Sequence, residues 1–91
     1  MKIIFNEPPL SMSRRTRLPL SELPVGGRAI VVALDAAPEL AARLDALGFL
    51  PETEVRCRRR APLGDPRVYE LRGAQLCLRR SEAAHVLVEL A

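Results

Sequence analysis

The stretch from Glu54 to Arg80, EVRCRRRAPLGDPRVYELRGAQLCLRR, decides the architecture, because strand-like alternation in it is broken twice by turn-forming residues. From Glu54 to Arg60 the period is two: Val55 and Cys57 fall on one face, Arg56 and Arg58 on the other, so Cys57 should point inward. Pro62-Leu63-Gly64-Asp65-Pro66 is dense in turn formers and reads as the tip of a loop. Arg67 to Arg72 and Ala74 to Arg79 then read as a hairpin about Gly73. On its second arm Leu76 and Leu78 share a face, which puts Cys77 on the opposite one.

On the N-terminal side of this stretch, Pro38 suits a first helical turn, Leu40, Leu44 and Leu47 follow at i, i+4 and i+7, and Gly48 stands where a left-handed C-terminal cap belongs. That pattern predicts one amphipathic helix. Before it, Arg28 to Leu34 is a β-branched run apolar on both faces, as in a central strand, and Leu18 to Leu23 forms an apolar turn closed by Pro24-Val25-Gly26-Gly27. After it, Ser81-Glu82-Ala83-Ala84 reads as an N-capped helical turn leading into a closing strand, Val86-Leu87-Val88. A strand, a helix and four further short strands joined by tight turns predict a mainly β chain folded as a small barrel. Leu44, Leu47, Val55, Leu71, Leu76, Leu78 and Val88 are the expected core.

Residues 1–17 carry no sustained period; Pro8-Pro9 opposes helix, and Arg14, Arg15 and Arg17 make the segment basic, so it is expected to be a disordered arm before a domain spanning 18–91. The chain has 91 residues, room for one small domain. Its aromatic content of 3% requires an aliphatic core, and the net charge of +3 owes much to the arm. No apolar run approaches a membrane span or a signal-peptide core, so neither membrane insertion nor export is expected.

Chemistry-bearing groups are sparse. His85 is the single histidine, flanked by Ala84 and Val86, and reads as structural or surface-exposed. Asp35, Asp45 and Asp65 have no matched carboxylate at a defined spacing, Gly26-Gly27 is not a phosphate-cradling loop, and two cysteines on opposite strand faces do not make a metal site. The chain is therefore expected to be no enzyme, with no cofactor and no metal site. Arg58-Arg59-Arg60, Arg67 and Arg79-Arg80 read as a solvated basic face; direct nucleic-acid binding is not expected, because Tyr69 is almost the only aromatic platform in the domain.

Taken together, Leu20-Ser21-Glu22-Leu23-Pro24-Val25-Gly26, Arg43-Leu44-Asp45-Ala46-Leu47-Gly48-Phe49-Leu50-Pro51, Arg60-Ala61-Pro62-Leu63-Gly64-Asp65-Pro66 and Arg72-Gly73-Ala74-Gln75-Leu76-Cys77-Leu78-Arg79, in this order, resemble the ferrous iron transport protein A family over about residues 18 to 89. The resemblance implies an SH3-like barrel in the bacterial cytoplasm, peripheral to the inner membrane through its partner, ferrous iron transport protein B, a permease with a cytoplasmic G domain. The same barrel forms the C-terminal domain of metal-dependent repressors, which supplies a regulatory or nucleic-acid-associated alternative. The family usually carries Gly after the Pro of the post-helix turn, where this chain has Glu52; a type I turn or a local shift is expected there. For docking on the permease, Phe49 and Leu50 are the expected anchors, with Arg43 and the Leu63-Gly64-Asp65-Pro66 loop at the rim.

Overall fold

The structure, a computed structural model, describes residues 16–91; most of the expected arm lies outside them. Six strands form one antiparallel sheet: β1 (Arg17–Pro19), β2 (Arg28–Leu34), β3 (Glu54–Arg60), β4 (Arg67–Leu71), β5 (Ala74–Leu78) and β6 (Val86–Leu90), in the order β1-β6-β2-β3-β4-β5. One turn of 3₁₀ helix covers Leu20–Glu22, helix α1 spans Pro38–Leu47, and the short α2 spans Arg80–Ala83. The β-rich architecture, the α1 span and the β4–β5 hairpin match the expectations from sequence.

The sheet curls into a barrel. Four strand spacings of about 4.8 Å would hold β1 and β4 about 19 Å apart in a flat sheet. Instead the Tyr69 hydroxyl of β4 donates to the carbonyl oxygen of Leu20, the residue after β1, at 3.3 Å. Inside lie Leu20, Leu23, Val31, Leu44, Phe49, Val55, Cys57, Tyr69, Leu78 and Val88, all fully or almost fully buried, so the core is aliphatic apart from two rings. β2 is central, between β6 and β3, as its two-faced apolar pattern requires.

Several expectations change. Arg17 is not in the arm but opens β1, where its Nε lies 2.7 Å from Glu89 Oε2. Leu47 was expected in the core and is 38% exposed, whereas Leu44, one turn earlier, is buried. The reason is that α1 stops at Leu47: Gly48 turns left-handed at φ 111°, and the Phe49 amide bonds the Leu44 carbonyl at 3.1 Å. The chain reversal carries Phe49 inward, and Leu47 is left on the outer side. A Cβ at Gly48 would sit 2.7 Å from Leu71 Cδ1, a side-chain tip that could shift, so it is the positive φ that favours glycine here. Helix α2 starts one residue before Ser81, with Arg79 at the N-cap position and its amide donating to Glu82 Oε1 at 2.9 Å.

Glu52 does not avoid the left-handed region. Its φ is 71°, Pro51 precedes it, and the Thr53 amide bonds the Leu50 carbonyl at 3.1 Å, which together make a type II turn rather than type I. The turn is held because Glu52 N–H donates to the Val31 carbonyl at 2.7 Å and Val31 N–H to the Thr53 carbonyl at 2.9 Å. β2 thus imposes the backbone, and the side chain tolerates it.

Candidate docking surface

The loop of residues 61–66 carries the most exposed large apolar side chain among the described residues. Leu63 stands at its tip with 96% of its area exposed. An exposed leucine on a loose loop would mean little, but this loop is closed at its base and pinned at its side. Ala61 N–H donates to the Pro66 carbonyl at 2.9 Å and Gly64 N–H to the Ala61 carbonyl at 2.7 Å. Asp65 Oδ1 accepts the N–H of Arg80, the first residue of α2, at 2.8 Å.

Behind the pin a groove of about 360 Å³ is lined by Arg43, Asp65, Pro66, Cys77, Leu78, Arg79 and Glu82. In its lining, Arg43 on α1 contacts the Glu82 carboxylate on α2. The hydrogen bond from Arg43 is the main cause that holds the Glu82 carboxyl below the usual carboxylate range, and the Arg79 amide adds to it. Arg43 and Leu47 lie four residues apart on α1 and therefore share a face, so the exposed Leu47 extends this surface.

Among the expected contact residues, Arg43, Asp65 and Pro66 meet in the groove, and Leu63 and Gly64 belong to the loop that rims it. Phe49 does not join them: it is 0% exposed and plugs the core, so it presents no surface to a partner. Leu50 is half-buried in the turn after α1. Cys77, Arg79 and Glu82 were not anticipated at a site; the only signal was the Glu three residues after Arg79, a capping-box spacing.

His85 Nδ1 lies 2.7 Å from the Asp35 carbonyl oxygen, and Asp35 N–H donates to the His85 carbonyl at 2.8 Å, which latches the end of β2 to the start of β6. Cys57 is buried and Cys77 exposed, as the strand alternation requires. Burial pushes the Cys57 thiol up, against the pull of Arg67 and Arg60. Burial likewise raises the Tyr69 phenol. Arg67, expected on a solvated basic face, is only 5% exposed and has no carboxylate partner among the described residues. The period of β4 accounts for this, since Arg67 shares the inward face of that strand with the buried Tyr69 and Leu71. Among the described residues no three His, Cys, Asp or Glu side chains gather as a metal-binding group, and no helix is long and apolar enough to cross a membrane.

Comparison with known proteins bears on the family and the fold. The FeoA domain model matches residues 18–90. A Fe(2+) transport protein A/Fe(2+) transporter FeoB fusion protein of Porphyromonas gingivalis is 34% identical over 71 residues, covering 78% of this chain but only 8% of that protein. The crystal structure of zinc-complexed FeoA from Stenotrophomonas maltophilia, a prokaryotic SH3 domain protein, is 37% identical, with a TM-score of 0.68 over 76% of this chain and 86% of that one. A manganese-dependent transcriptional repressor shares the fold at 17% identity, with a TM-score of 0.75 over 85% of this chain and 43% of that one. With an SH3-like barrel in hand and a family model spanning all six strands but the first residue of β1, the chain belongs to the FeoA domain family.

Proposed function

We propose that this chain is a non-catalytic accessory of ferrous iron transport that docks on the cytoplasmic part of an FeoB-type permease. Its contact surface is the pinned loop carrying Leu63, together with the Arg43, Asp65 and Pro66 groove. The observation that carries the reading is Leu63: a large aliphatic side chain held almost wholly in solvent by a loop tied to α2 is organised for burial by something else. Pre-organisation matters because a loop already ordered loses less entropy on binding. The fused relative supports the identity of the partner, since one polypeptide there joins an Fe(2+) transport protein A to the Fe(2+) transporter FeoB.

In this reading Leu63 and Leu47 supply apolar area, while Arg43 and Asp65 fix orientation from the rim. Phe49 supports the surface from inside and touches no partner. The test is co-purification: a tagged chain is mixed with detergent-extracted FeoB, and the retained fraction is compared with that of a chain carrying Leu63→Asn. Retention of wild type and loss by the variant supports docking; retention of neither places the function elsewhere.

A further inference from the structure

The two edges of the sheet are finished differently. β1 is three residues long and ends in Pro19, two devices that discourage a further strand. β5 is five residues long, Ala74-Gln75-Leu76-Cys77-Leu78, with no charge and no proline. It pairs with β4 alone.

Which backbone groups face outward follows from the turn. Arg72 and Gly73 both have positive φ, 54° and 80°, and Leu71 pairs with Ala74, so the hairpin closes on a two-residue type I′ turn. Leu71–Ala74 is then a hydrogen-bonded pair, and alternation makes Tyr69–Leu76 and Arg67–Leu78 the next ones. The N–H and C=O groups of Gln75 and Cys77 therefore point away from β4. No described residue bonds them. The next amide in that phase, Arg79, is taken by Glu82, which ends the open ladder.

We propose that the β5 edge takes an extended, acid-flanked segment of a partner protein as a seventh strand, hydrogen-bonded to Gln75 and Cys77. The charge at the ends selects the occupant. Arg72 lies beyond one end of β5 and Arg79 and Arg80 beyond the other, all exposed and in no ion pair among the described residues. The nearby acids are engaged, Asp65 by the Arg80 amide and Glu82 by Arg43 and the Arg79 amide. A second copy fits badly, because antiparallel self-pairing centred on Leu76 would set Arg72 against the Arg80 position of its partner. Carboxylates at both ends of an incoming strand meet the arginines instead. Cys77 and Arg79 also line the groove behind the tip loop, but the test below contains no permease, so its outcome is separate from that of the docking proposed above.

Amide exchange of the full chain, followed residue by residue with NMR, tests it against a blocked peptide of alternating Thr and Val with paired Asp at each end, at millimolar concentration. In the free chain the Gln75 and Cys77 amides exchange fast while Leu76 and Leu78 are slow; with peptide, Gln75 and Cys77 slow by about tenfold or more. The slowing disappears when the terminal Asp are replaced by Lys, and in Cys77→Pro, which removes an outward N–H and leaves the β4 ladder intact. Four results overturn the proposal: Gln75 and Cys77 already protected in dilute free chain, protection that rises with chain concentration alone, no slowing with the acidic peptide, or equal slowing with the Lys peptide. If Cys77→Pro fails to fold, the wild-type exchange still decides.

Discussion

Asp65 Oδ1 accepts the backbone N–H of Arg80 at 2.8 Å, joining the tip loop to the first turn of α2 across fifteen residues of sequence. The bond does two things at once. It satisfies a helix N-terminal donor with a charged acceptor, and it holds Leu63 out in solvent.

Removing that carboxylate should cost little stability and much order. Asp65→Ala is expected to lower unfolding free energy by about 1 kcal/mol, because the bond is exposed. Backbone order parameters for residues 62–65 should fall, and Asp65→Asn, which keeps an acceptor, should fall between. Chemical denaturation and NMR relaxation of the three chains check this.

The contact between Arg43 and Glu82 gives a pH dependence with a definite sign. Glu82 is held below its ordinary value in the folded chain, so it contributes stability above the unfolded carboxylate range and loses it as pH falls through the lowered folded value. Wild type should thus be more stable than Glu82→Gln near neutrality, and the two melting curves should converge in acid. A difference that persists unchanged at low pH would show that the carboxylate charge is not responsible.

Glu52 should be a site where substitution stabilises. With φ at 71° in a type II turn, Glu52→Gly removes the left-handed penalty, and a gain of about 1 kcal/mol is expected after the entropy that glycine adds to the unfolded chain. Equilibrium denaturation measures it directly.

Leu44 and Leu47 separate the two sides of α1. Leu44→Ala opens a cavity in the core and should cost about 2 to 5 kcal/mol. Leu47→Ala, on the outer side, should change stability by about 0.5 kcal/mol or less. Comparable losses at both positions would contradict the placement of Leu47.

These residues also show how far sequence reasoning reaches. Period and turn chemistry located β2 to β6, α1 and the phase of both cysteines, because each rests on contacts within one element. Leu47 escaped because helical spacing says which residues share a stripe but not where the sheet beneath the stripe ends. Phe49 escaped for a related reason: an apolar residue after a helix suits a surface anchor and a core plug equally, and only the reversal at Gly48 sends it inward. Strand β1 is three residues with a proline, too short to alternate, and it exists because β6 offers it a partner. Arg67 was placed outside by its charge, although the period of β4 sets it on one face with Tyr69 and Leu71. Of the site, Arg43 and the loop were legible as motif residues. Glu82, Cys77 and Arg79 reach the groove only through the packing of α2 and β5 against them.

The central claim is that Leu63 is displayed for a partner, and the most direct measurement is the affinity of detergent-solubilised FeoB for wild type and for Leu63→Asn, with the melting temperature of each chain measured alongside. Because Leu63 touches solvent almost everywhere, the variant should melt within about 1 °C of wild type. Its affinity should be at least about tenfold weaker, the loss typical of a buried aliphatic contact. Equal affinities at equal stability would contradict the account.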